Sequence, residues 1–434
     1  MGAYVERIRS GLTPQRRQQM SILLVWSCLL VLPVGRLVEA PVMLMALAGL
    51  YLLVRRWRHF RDDPAIKLLA VVFLLAWIPI LVSLVNAVNP ENAARICVNH
   101  LRFAFSGVFI VYALSTADAH RSFLGLCAWL LLFWLADGIV QIAFGRDLFG
   151  FGLPSSSGFE REIERINALF GMHNLVYATL LSVLSPLLWA YAHRNWGRWA
   201  TLAVVLATIF VILLAGTRSA WVNVFVLVIA CMAILAWRAP RLALRTTLMA
   251  LPLAAVMLTT LWFGSDQFAA RVKTGFGSLT GSTNVVLDAL GHRFWIARGA
   301  WNMFADNPLN GVGAGGFRYA FEEYGDADDP YLHAEPPIVP YHSHNYLLQL
   351  LSETGALGAA GIATLLIVLV VAGARAPPDK QRTMVPYGLC LLIAYFPINS
   401  HMAIYSSFWS QIVWWLIALY CAAYGAKHPQ NAAA

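Results

Sequence analysis

AIKLLAVVFLLAWIPILVSLVNAV, residues 65–88, carries a single charged side chain, Lys67, close to its start. Roughly 20 mostly apolar residues suffice for a helix to cross the ~30 Å hydrocarbon core of a bilayer, so the segment reads as a membrane span. It is one of many. Apolar runs of similar character occupy 20–36, 38–54, 100–115, 122–144, 169–191, 199–215, 220–236, 246–263, 345–373, 383–397 and 408–424. The spacing predicts an all-α polytopic integral membrane protein with about twelve transmembrane helices. Composition agrees. Of 434 residues, 59% are apolar and 12% charged, against about 45–50% and about 25% in soluble domains, and the mean hydropathy is +0.64. A soluble globule, a disordered chain, a coiled coil and a nucleic-acid binder are excluded as primary readings.

The net charge of +9 matters less than which side of the membrane each charge occupies. With the N-terminus inside, most of the 31 basic residues fall on short cytoplasmic segments, including Arg7, Arg9, Arg16, Arg17, Arg55, Arg56, Arg58, Arg61, Arg238, Arg241, Arg245, Lys380 and Arg382. Both termini are then cytoplasmic. The basic start ahead of an apolar run has the form of a signal peptide, but the many later spans favour an uncleaved first helix. The cysteines (Cys28, Cys97, Cys127, Cys231, Cys390 and Cys421) form no C-x-x-C pair and read as packing residues rather than as disulfides or zinc ligands.

Three regions follow from this division: about nine helices in 1–263, an outer loop over 264–344, and about three helices in 345–434. The loop gathers the Gly, Pro, acidic and aromatic residues that the spans lack, and loops of this length are usually functional or disordered. No internal repeat supports an inverted-repeat transporter. Outer arginines run against the positive-inside bias, so those near the membrane need a reason.

The loop exits through YHSHNYLLQLLSETGALG, residues 341–358. With Ser343 as N-cap, His344 falls in the first helical turn, on one face with Leu348, Leu351, Gly355 and Gly358. A helix N-terminus disfavours an imidazolium, leaving a neutral ring able to accept a proton. His342 and Asn345 are its candidate supports. The alternative is a pair of interfacial histidines bonded to loop backbone. H-x-H offers only two ligands and no H-E-x-x-H occurs, so no metal or other cofactor is expected.

Upstream, HRFWIARGAWNMFADNPLNGVGAGGF spans 292–317. On a helix over 293–304, Arg293 falls within the apolar face, where an unpaired guanidinium is costly; it is the stronger anion ligand, and Arg298 the weaker. GVGAGG matches G-x-G-x-x-G but lacks a βαβ context, so it reads as a tight turn. In LAGTRSAW, 214–221, Arg218 occupies an outer turn between two spans, either as an anion ligand or as an arginine reaching lipid headgroups. Arg161 and Arg165, in the outer loop 145–168, are weaker candidates because glutamates interleave with them. Asp137 is the clearest acid inside a span.

Together these features resemble the O-antigen ligase family, within a wider group that includes O-antigen polymerases and protein O-oligosaccharyltransferases. His344 and Asn345, followed by Gly355 and Gly358, fit the family's His motif. Arg218 resembles its short-turn arginine, and Arg293 ahead of Pro308, Gly311 and Gly313 resembles its loop arginine and turn. The resemblance implies a bacterial inner-membrane glycosyltransferase of lipopolysaccharide biosynthesis with its site facing the periplasm. It would move a preassembled glycan from undecaprenyl pyrophosphate to lipid A–core oligosaccharide. His344 would act as base, and Arg218 and Arg293 as pyrophosphate ligands, with inversion and without a metal. A polymerase or protein oligosaccharyltransferase using the same donor is the alternative reading, and a lipid or glycan transporter a more distant one.

Overall fold

The computed structural model describes residues 13–153, 165–171, 176–266, 268–270, 272–273, 292–397 and 402–427. Among these the chain is helical, with two isolated β-bridges and no extended strand. Among the described residues, the four-residue helix Trp57–Phe60 and nine longer ones precede the long loop: α1 (Pro14–Leu30), α2 (Glu39–Arg55), α3 (Pro64–Val82), α4 (Pro90–Ala113), α5 (Ala117–Phe144), α6 (Tyr177–Asn195), α7 (Gly197–Leu214), α8 (Arg218–Arg238) and α9 (Pro240–Gly264). Within the loop lie α10 (His292–Asp306) and α11 (Phe317–Tyr324), and after it come α12 (Tyr346–Arg375), α13 (Pro378–Ala394) and α14 (Ser407–Gly425).

Each of the twelve apolar runs overlaps a helix, and among the described residues eight candidate spans are long and apolar enough to cross a membrane. These are Leu32–Arg55, which joins a 3-10 turn to α2, together with α3, α4, α5, α7, α8, α9 and α12. The others fall short for physical reasons. α1 and α13 have 17 residues each. α6 and α14 carry hydroxyls, amides or basic ends that lower their hydropathy, and both are interior helices. α14 is buried from Trp409 to Ala423 and packs on α3, α4 and α13; α6 is buried from Tyr177 to Trp189 and packs on α5, α7, α8 and α13. Helices surrounded by protein are buried on all sides. At the other extreme, α9 has Ala243 and Leu261 as its only buried described residues and packs chiefly on α8.

Local sequence sets several boundaries. Asp63 caps α3 by accepting from the Ala65 amide at 2.8 Å, with Pro64 at the first helical position, where its missing N–H costs nothing. Asn89 and Pro90 start α4 in the same way. The expected span 100–115 is therefore the second half of a helix that begins ten residues earlier. Its polar side chains find partners: Arg95 donates to Asn92 at 2.6 Å, and Arg102 donates to Ser407 at 3.0 Å and pairs with Glu39. Asp137 lies in the last third of α5, where its carboxylate accepts from the Leu148 amide at 2.8 Å. It binds the turn that follows its own helix.

The loop has a core of its own. Ile296, Ala300 and Met303 of α10 pack with Val312 and with Phe317, Ala320 and Phe321 of α11. Trp301, on the same helix, is exposed. Arg298 reaches the other side of the loop and pairs with Asp326 at 2.6 Å.

Candidate active site

The turn 308–316 enters a break in α12. Gly355 adopts φ +63°, ψ −163° inside that helix, a conformation open essentially to glycine. The interruption leaves main-chain groups for the turn to use. Val312 and Gly313 amides donate to the Ser352 and Glu353 carbonyls at 2.9 and 3.1 Å. In return, the Ala356 and Leu357 amides donate to Pro308 and Leu309 at 2.8 and 3.2 Å. Each such bond adds about 0.5–1.5 kcal/mol net, and leaving the buried groups unpaired would cost more. Gly311, at φ +65°, lies against the backbone of Ser352–Thr354, where a Cβ would overlap.

Glu353 completes the junction. It is buried, and its carboxylate accepts from the Gly315 amide at 2.8 Å and from the Gln349 side chain at 3.4 Å. The oxygen of Gln349 accepts from the Ile404 amide at 3.2 Å, tying in the segment before α14. On its far side the turn meets the α3–α4 connection. The Ala314 amide donates to the Ser83 hydroxyl at 3.1 Å, the Val88 amide to the Val312 carbonyl at 2.9 Å, and the Asn92 side-chain Nδ2 to the Gly315 carbonyl at 3.1 Å. Glu353 was legible as an acid inside an apolar run, but its sequence position says nothing about the Gly315 partner.

Two turns before Glu353, the chain presents the histidines. Ser343 is not the N-cap. Asn345 is, its side-chain oxygen accepting from the Leu348 amide at 3.0 Å. Ser343 instead donates its hydroxyl to the Asn345 carbonyl at 2.8 Å. His344 therefore precedes the helix, and its expected place on one face with Leu348 and Gly355 is lost. Its φ is +51°, a left-handed conformation that costs a non-glycine residue roughly 1–3 kcal/mol and concentrates at functional sites. The ring centroids of His342 and His344 are 4.0 Å apart.

Arg293 projects from the start of α10, exposed, and its charge reaches His342. Burial, then His344 and Arg293, pull the His342 imidazolium down to about 3. His342 is therefore neutral at ordinary pH, and its Nε2 is enclosed without a hydrogen-bond partner. The remaining arginines are carried by other elements. Arg218 is the exposed first residue of α8, after the buried Thr217, and α8 packs on α6, α7, α9 and α13. Arg165 is half-buried in a segment held to α5 by Gln141, which accepts from the Asn167 and Ala168 amides at 2.9 and 2.8 Å. Arg161 lies outside the described residues.

The arrangement unites a neutral histidine, a second histidine in a strained conformation and a guanidinium beside a rigid, fully bonded support. It can take a proton from a hydroxyl and meet an anion. A family model described as O-antigen ligase matches residues 202–363, a stretch holding Arg218, Arg293, both histidines and the α12 break. No curated protein matches the chain.

Proposed function

We propose that this all-α chain, which has several candidate membrane spans and in which the O-antigen ligase family model matches residues 202–363, transfers a preassembled glycan from undecaprenyl pyrophosphate to lipid A–core oligosaccharide. Transfer takes place at the periplasmic face of the bacterial inner membrane, with both termini cytoplasmic. The observation that carries the reading is the placement of His342, His344 and Arg293 together on the junction between the loop and α12.

In this mechanism His344 removes the proton of the acceptor hydroxyl as its oxygen attacks the anomeric carbon. The bond from that carbon to the pyrophosphate oxygen breaks, and its electron pair leaves with undecaprenyl pyrophosphate. The anomeric configuration inverts. Arg293 and Arg218 bind the pyrophosphate and stabilise the charge that develops on it; guanidinium–phosphate bonds are among the stronger charge-assisted pairs. The imidazolium formed on His344 returns its proton to solvent or product. No metal enters the scheme. The enclosed Nε2 of His342 supports His344 as the base, with His342 and Asn345 as its supports through ring contact and helix capping.

The test is purified protein with an undecaprenyl-pyrophosphate glycan, with and without lipid A–core, and with chelator in parallel. The expected result is product on lipid A–core that is insensitive to chelator. Glycan lengthened on the polyprenyl carrier without lipid A–core would make the protein a polymerase instead.

A further inference from the structure

Beside the histidines, the loop displays two exposed tyrosines with an arginine between them. Tyr341, immediately before His342, is 74% exposed, and Tyr319 on α11 is 42% exposed. The Arg318 guanidinium lies over both rings, 4.6 Å from the Tyr319 centroid and 5.2 Å from that of Tyr341. It also donates to the Tyr319 hydroxyl at 2.7 Å. No carboxylate among the described residues is within ion-pair distance of Arg318, though its charge reaches the buried Glu353.

We propose that Tyr341, Arg318 and Tyr319 form a glycan-binding platform that seats a pyranose ring of the transferred or accepting saccharide next to the histidine pair. The proposal rests on the glycosyltransferase reading of that pair. A pyranose presents an apolar C–H face and a rim of hydroxyls. An exposed tyrosine ring is a large, stiff surface for the face, and a guanidinium has five donors for the rim, of which Tyr319 takes one.

Position favours a sugar over a lipid headgroup. Arg318 follows directly on the turn bonded into α12, and Tyr341 is one residue from His342, so the platform is held by the same junction as the candidate site. A guanidinium already fixed against two rings is preorganised for a ligand arriving there, which lowers the ordering cost of binding. A headgroup anchor gains nothing from that alignment.

Binding can be read without transfer, by saturation-transfer NMR on the full chain in phosphatidylcholine nanodiscs. The probe is the oligosaccharide released from bacterial lipopolysaccharide by mild acid. Saturation of pyranose C–H protons is expected for the wild type. Tyr341→Ala and Arg318→Ala should each weaken binding about 5- to 10-fold, whereas Tyr341→Trp should retain it. Tyr319→Ala gives an independent variant, and thermal unfolding of each protein confirms that it is folded. His344→Ala should still bind the sugar, whereas a wild type that binds but never transfers would remove the transferase reading and leave the platform standing. Absence of wild-type binding up to about 10 mM, or equal binding by folded Tyr341→Ala and Arg318→Ala, overturns the platform. A wild-type signal displaced by phosphatidylglycerol nanodiscs at constant ionic strength, and indifferent to Tyr341, assigns the cluster to lipid headgroups and overturns it as well.

Discussion

Two loops return to the helix set and are received by buried polar side chains, but in different ways. On α5, Asp137 accepts from Leu148, and Gln141 from Asn167 and Ala168, while the helix itself runs unbroken to Gly145. On α12, Glu353 likewise accepts from Gly315, but the helix is opened at Gly355 and exchanges main-chain bonds with the turn in both directions. The first loop is attached through side chains. The second is built into the backbone of the helix that carries the histidines, so the position of Arg293 relative to His344 depends on few flexible torsions. Rigid support of this kind is what orientation-dependent catalysis requires.

The comparison is sharpened most by activity. His344→Ala should lower transfer by about 10²–10⁴-fold with the thermal transition retained, whereas Gln141→Leu, which releases the α5 loop, should change transfer by less than about tenfold. Both are measured as kcat/KM for glycan transfer. Equal losses would mean that the α5 loop is also part of the reacting centre, and normal transfer by His344→Ala with loss in His342→Ala would exchange the roles of the two rings.

Stability gives the next contrast. Gly311 and Gly145 both hold positive φ, but a Cβ at Gly311 overlaps the α12 backbone, while one at Gly145 meets nothing within 4 Å. Gly145→Ala should cost about 1–2 kcal/mol from conformation alone. Gly311→Ala should cost more than about 3 kcal/mol or prevent folding. Thermal unfolding in detergent checks both, and similar values would break the distinction between an inserted and an attached loop.

Glu353→Ala should destabilise by about 1–3 kcal/mol, because the buried Gly315 amide loses its acceptor. Glu353→Gln keeps an acceptor oxygen and should recover much of that loss. The unfolding midpoints of the two variants decide whether hydrogen bonding or charge is the requirement at this position.

The last contrast is in pH. His342 has a folded value near 3, below the unfolded value of about 6.5. Between these values the unfolded chain binds more protons, so stability falls as pH drops from about 6.5 towards 3. His342→Asn should flatten that slope in unfolding measurements across the window. An unchanged slope would show that His342 is not enclosed as described.

Hydropathy and charge determined the membrane class, all-helical fold and positions of the helices, because apolar length and the cost of burying charge are local properties of a segment. The histidines and Arg293 were legible for the same reason: polar groups at a membrane boundary stand out against an apolar chain. Tertiary structure alone decided how they are held. Gly315 and Glu353 are 38 residues apart, and Ala314 and Ser83 are 231 apart, so no local pattern encodes their pairing. The left-handed His344 precedes the helix and so loses the helical face expected for it. The Asp326 partner turns Arg298 from a candidate ligand into an ion pair, and the rings about Arg318 come from α11 and the loop exit. Backbone hydrogen bonds must be satisfied wherever the chain is buried, but which groups satisfy them is set only when distant segments meet.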